Sequence, residues 1–135
     1  MNHTEIPKDI KNAFQKGTVI PALPLALDKN RELDERRQRA LMRYYLDAGV
    51  GGVAVAVHTT QFEIRLPEVN LYGKVLEIAK EEFDSFEERT QKPIIRIAGV
   101  IGKTGQAKNE AKLPMTAVFA KPTKNKVIID VNSAM

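Results

Sequence analysis

The residues best placed to do chemistry are His58, Thr59 and Thr60. They end the stretch Gly49-Val50-Gly51-Gly52-Val53-Ala54-Val55-Ala56-Val57-His58-Thr59-Thr60, in which glycines that can close a helix lead into an apolar, β-branched run. A short continuous apolar run bounded by turn residues reads as a strand buried on both faces, the kind found in parallel sheets covered by helices. Polar residues just past the C-terminal end of such a strand lie where α/β folds carry out their chemistry. At that position His58 can act as a general base, or it can pack in the loop with its imidazole bonded to a neighbouring carbonyl.

Other constellations are weaker. Ile97-Ala98-Gly99-Val100-Ile101-Gly102-Lys103-Thr104 follows a strand pattern and precedes a helix pattern, as a phosphate-binding P-loop does. That motif needs a glycine where Ile97 stands, and Gly99 is too close to Gly102 for the backbone to wrap a phosphate. An ordinary βα turn with an exposed Lys103 is the plainer reading. Glu63 and Glu68 could form an acid–base pair, but Glu68 suits a helix N-terminus and Glu63 suits solvent. No nucleophile–base–acid triad is visible. The chain has no Cys, which excludes disulfides and thiolate metal sites, and with only His3 and His58 a metal site is not expected. No cofactor is implied.

Several elements must position the central strand. Gly17-Thr18-Val19-Ile20-Pro21-Ala22-Leu23 reads as a first short strand, with Pro21 at its end because proline cannot donate to a ladder. A helix should start at an Asp34 N-cap, present Arg37, Leu41, Tyr44, Tyr45 and Ala48 on one face, and close at Gly49. Leu66-Pro67-Glu68 should open the next helix, with Pro67 near its first position. Its buried stripe would be Leu71, Val75, Ile78, Ala79 and Phe86, and its wet side Glu77, Glu81, Glu82, Glu87 and Glu88. Pro93-Ile94-Ile95-Arg96-Ile97-Ala98-Gly99-Val100 reads as a third strand, followed by a glycine-rich loop and a short helix over 104–113. Successive strand-loop-helix units predict an α/β protein with a parallel sheet. Past Leu113 the pattern breaks: Pro114 stops the helix, 115–119 and 127–131 read as strands of a hairpin, and a basic turn lies between them. Residues 1–16 read as a leader with one turn of helix around Asp9 to Phe14.

A chain of 135 residues with 43% hydrophobic and 28% charged residues is an ordinary globular composition. The net charge of +4 is spread among interleaved acids, and Lys121, Lys124 and Lys126 lack an aromatic platform for bases, so nucleic acid is not the expected partner. No apolar stretch is long enough to span a bilayer and residues 1–16 carry no signal-like apolar run, so a cytoplasmic protein without membrane contact is expected.

Taken in order, Gly17-Thr18-Val19-Ile20-Pro21-Ala22, then Tyr44-Tyr45-Leu46-Asp47-Ala48-Gly49-Val50-Gly51-Gly52, then His58-Thr59-Thr60, then Pro93-Ile94-Ile95-Arg96-Ile97-Ala98-Gly99-Val100 resemble the N-terminal part of the dihydrodipicolinate synthase/N-acetylneuraminate lyase family. The resemblance covers residues 16–113. It implies a (β/α)8 TIM barrel, a class I aldolase or lyase that holds a 2-keto acid such as pyruvate as a Schiff base on lysine, and a homo-oligomer. It also implies that Thr59 and Thr60 hold the keto-acid carboxylate and that the Thr60 hydroxyl joins a proton relay. Loop N–H and hydroxyl donors suit a carboxylate. His58 stands where the family has glycine, at the mouth of the pocket, and Gln61-Phe62 replace the family's Gly-Glu.

A barrel of this kind takes ~250 residues, of which this chain supplies roughly half. The resemblance therefore implies about three βα units over 17–113, a leader over 1–16 and an atypical strand-rich tail over 114–135. The relay tyrosine has no match, and the Schiff-base lysine would fall beyond Met135, as in a truncated or frame-shifted gene. No productive imine is then expected. The alternative is a non-catalytic half-barrel that self-associates through open sheet edges, ahead of a nucleotide-binding domain.

Overall fold

The computed structural model describes residues 7–57 and 63–100, and the backbone of Ile129–Asp130. The elements are α1 (Lys8–Lys16), α2 (Glu35–Asp47), β1 (Gly52–Val55), α3 (Tyr72–Thr90), β2 (Ile95–Val100) and β3 (Ile129–Asp130). The strands form one parallel sheet in the order β1-β2-β3. This is the expected α/β plan, with helices crossing over between parallel strands.

The apolar runs, interrupted in β2 by Arg96, are explained by burial on both faces. Every residue of β1 and β2 is buried. Val53, Val55, Ile94 and Ala98 pack with Met42 and Leu46 of α2 and with Val75, Leu76, Ala79 and Phe83 of α3. The alternate residues Ala54, Ile95 and Ile97 pack with Ile10 of α1. So α2 and α3 cover one face, and α1 lies against the other. The leader is thus a nine-residue helix rather than a single turn. Its anchor is Ile10, which is fully enclosed.

The expected first strand lies where it should but is reduced to a bridge. Ala22 pairs with Ala54 in parallel. Gly51 N–H donates to the Val19 carbonyl (3.0 Å), Ala54 N–H to the Pro21 carbonyl (2.9 Å) and Leu23 N–H to the Ala54 carbonyl (2.8 Å). Pro21 is tolerated because on this side it is asked only to accept.

The Asp34 N-cap is present, its carboxylate accepting from Arg37 N–H at 2.9 Å, and Gly49 closes the chain after α2 at φ 85°. The buried face, however, is Gln38, Met42 and Leu46. Leu41 and Tyr45 flank it, whereas Arg37, Tyr44 and Ala48 face solvent, Tyr44 at 70% exposure. The physical reason is Gln38. Its side chain accepts from Ala26 N–H (2.7 Å) and donates to the Pro24 carbonyl (3.1 Å), which satisfies a buried amide and turns that edge inward.

The third helix starts at Tyr72, not at Pro67. Residues 63–65 form a 3₁₀ turn, and Val69 and Asn70 N–H groups both donate to the Leu66 carbonyl. Asn70 at φ 46° ends that turn before α3 can begin, so Glu68 stays exposed, away from the helix N-terminus. Of the expected stripe, Val75, Ile78 and Ala79 are buried and Leu71 and Phe86 half-buried, with Tyr72, Leu76 and Phe83 added. Glu82 is buried rather than wet, and Glu87 is half-buried.

β3 runs parallel to β2, pairing Ile129 with Gly99 and Val100 with Asp130. The loop at Gly102 to Gly105, the helix over 104–113 and the strand over 115–119 lie outside the described residues. Among the described residues no helix is long and apolar enough to cross a membrane.

Candidate functional site at the strand ends

In a parallel α/β sheet the loops after the strands gather on one side, so the C-terminal ends of β1 and β2 are where a site would form. The pairing of these strands runs to Val55↔Ala98. The residue after β1, Ala56, is left-handed at φ 58° and fully enclosed. Opposite it stands Gly99, where a Cβ would sit 2.4 Å from the Ala56 carbonyl oxygen. Only glycine lets the two main chains come this close.

Two side chains tie these ends together. Arg65, from the 3₁₀ turn after the central loop, donates through one terminal nitrogen to the Ala56 carbonyl (3.0 Å) and the Gly99 carbonyl (2.7 Å). Tyr72, in the first turn of α3, donates its hydroxyl to the same Gly99 carbonyl at 2.9 Å. The Arg65 guanidinium lies over the Tyr72 ring, 4.4 Å from its centre, a cation–π contact.

The sequence-identified site residues His58, Thr59 and Thr60 lie outside the described residues, as does Lys103. Glu63 and Glu68 are both exposed and belong to a turn, so they are not drawn into an acid–base pair. Arg65 and Tyr72 did not stand out in the sequence. The signals were an arginine directly after Ile64 close to a strand's end, and a tyrosine three residues before Val75 on the helix's apolar stripe.

The other charged cluster is on the helix-covered face. Arg43 grips Glu82 with two bonds (2.7 and 2.9 Å), and Arg39 reaches Glu35 (2.7 Å), Glu81 (2.6 Å) and Glu82 (3.2 Å). Burial alone would raise the Glu82 pKa, but the two guanidiniums outweigh it and hold the carboxyl below its ordinary value. Arg96 of β2 is fully enclosed over the Phe83 ring, and it donates to Asp84 (2.7 Å) and Glu87. A groove of about 260 Å³ between α2 and α3 is lined by Arg43, Glu82, Ser85 and Arg89. Its arginines are each paired with a carboxylate, Arg43 with Glu82 and Arg89 with Asp47 (2.7 Å). Among the described residues no three His, Asp or Glu side chains converge as a metal site would require.

The parallel order of the sheet and the helices between its strands make an α/β fold of the kind that builds part of a (β/α)8 barrel. The fold is similar to that of N-acetylneuraminate lyase from Fusobacterium nucleatum, with a TM-score of 0.60 and 20% sequence identity. The match covers 84% of this chain and 35% of the lyase, so the chain spans about a third of that protein's length. Neither a protein-family model nor a curated protein matches the chain.

Proposed function

We propose that this chain contributes the substrate-carboxylate part of a 2-keto-acid aldolase or lyase of the dihydrodipicolinate synthase/N-acetylneuraminate lyase type. The observation that carries the reading is a parallel sheet whose fold is similar to part of N-acetylneuraminate lyase, with the sequence His58-Thr59-Thr60 beginning three residues past Val55, the last residue of β1. In this reading the Thr59 and Thr60 hydroxyls and N–H groups receive the carboxylate of a small 2-keto acid such as pyruvate. Neutral donors hold a carboxylate without a competing salt bridge. His58 lines the mouth beside them, and the Thr60 hydroxyl is also a proton carrier in the relay.

The test is pyruvate binding, followed by titration of amide resonances. Thr60→Val keeps the side-chain shape and removes the hydroxyl. Loss of one hydrogen bond to a charged group should weaken pyruvate binding by roughly tenfold or more. Equal binding by wild type and Thr60→Val would remove Thr60 from the site, and no binding by wild type would end this reading.

A further inference from the structure

The junction at the ends of β1 and β2 carries more bonds than pairing two strands requires. The Gly99 carbonyl takes two side-chain donors, Arg65 and the Tyr72 hydroxyl, which uses both of its lone pairs. The Ala56 carbonyl takes the same Arg65 nitrogen. The guanidinium therefore measures the gap between two strand ends that are already pressed together at Gly99. It is planar, and it lies over the Tyr72 ring, 4.4 Å from the ring centre. Ala56, held in a left-handed conformation, is the last enclosed residue before Val57 and the residues that follow.

We infer that Arg65, braced by Tyr72, is a positioning residue for carboxylate recognition at this end of the sheet. It acts through the Ala56 carbonyl and sets the direction in which the chain leaves β1. The inference rests on the proposed keto-acid reading for its ligand, but its mechanical part does not need that reading. Lysine at position 65 would keep the charge without the rigid fork. Phenylalanine at 72 would keep the ring under the guanidinium and lose one of the two bonds to Gly99.

The experiment uses the full chain and pyruvate as the probe. Arg65→Lys should weaken pyruvate binding roughly tenfold while the urea midpoint stays near that of wild type. Arg65→Ala should lose binding to a similar degree, and added methylguanidinium should restore it. Full-strength binding by folded Arg65→Lys or Arg65→Ala would overturn the inference, as would a loss that methylguanidinium leaves unchanged. If wild type itself does not bind pyruvate, the keto-acid reading fails, and the amide resonance of Val57 decides the mechanical part without ligand. It should move in Arg65→Ala and return with methylguanidinium; a resonance that does not move overturns the inference. If Arg65→Ala does not fold, Tyr72→Phe is read in the same two ways, with a smaller shift of Val57 and a weaker pyruvate affinity expected, and wild-type values for both overturning the inference.

Discussion

On the helix-covered face, Arg39, Arg43 and Arg96 donate to carboxylates; at the C-terminal strand ends, Arg65 donates to main-chain carbonyls. The same side chain type is used for two tasks. Between α2, α3 and the back of β2 it neutralises acids that packing has taken out of water. At the strand ends it fixes the course of the backbone. The first task is judged by charge compensation, since a buried ion left without its partner is costly. The second is judged by geometry, because a neutral carbonyl needs only a well-aimed donor.

The largest effect should come from breaking compensation where burial is deepest. Arg96 is fully enclosed, and Asp84 and Glu87 are only partly open to water. Arg96→Met keeps apolar volume but leaves Glu87 without its cation and Asp84 with Lys80 alone. A loss of about 3–5 kcal/mol in urea unfolding is expected. Arg89→Ala removes a pair to Asp47 in which both side chains are more than half exposed, and should cost about 1 kcal/mol or less. Similar losses in the two variants would mean that depth of burial is not what separates these pairs.

A smaller effect should appear on acidification, and it belongs to the helix-covered face. Glu82 and Asp84 titrate below their ordinary values in the folded chain. For both, burial pushes upward, and it is outweighed by Arg43 and Arg39 at Glu82 and by Lys80 and Arg96 at Asp84. The unfolded chain therefore binds more protons in the window between the folded and unfolded pKa values, and stability falls as pH drops. This contribution is complete above the ordinary carboxylate range of about 4 and is lost as pH falls through the folded values. Urea midpoints taken from about pH 7 to about pH 3 should fall, and Glu82→Gln should flatten the decline. An unchanged slope in Glu82→Gln would remove Glu82 from the set of responsible groups.

The parts of the fold legible in the sequence were those set by local rules. Buried parallel strands announce themselves as largely apolar runs rich in Val and Ile, and Asp34 and Gly49 bracket α2 by cap chemistry alone. What could not be read was decided by tertiary partners. Gln38 looks like a surface residue until Ala26 and Pro24 supply its bonds, and that partnership turns the face of α2. Glu82 looks wet until two arginines from another helix meet it. The start of α3 is hidden in the sequence because Pro67 is equally at home in a turn, and the left-handed Asn70 that delays the helix gives no periodic signal. At the strand ends, His58, Thr59 and Thr60, which the sequence singles out, lie outside the described residues. The Arg65–Tyr72 brace was not legible, because carbonyl acceptors leave no trace in side-chain sequence.

The smallest expected effect separates the two regions at a single backbone conformation. Gln91, which follows α3, and Ala56, which follows β1, are both left-handed, at φ 55° and 58°. Gln91 is exposed, and its side chain donates to the Glu88 carbonyl at 2.9 Å, a bond that water can replace. Its Cβ costs ~1 kcal/mol in this conformation, which glycine would relieve, partly offset by glycine's greater freedom in the unfolded chain. Gln91→Gly should therefore stabilise by about 0.5 kcal/mol, as Gly49 already does for the end of α2. Ala56 has the same strain to relieve, but its methyl is fully enclosed among the core residues. Removing it gives up packing of similar size, ~0.8 kcal/mol for one buried carbon, and frees the segment that Arg65 holds. Ala56→Gly should gain nothing in urea unfolding and should broaden or shift the Val57 amide, whereas Gln91→Gly leaves that resonance alone. Equal stabilisation by the two glycines would show that φ alone governs both positions and that the strand end is no more constrained than an exposed helix terminus.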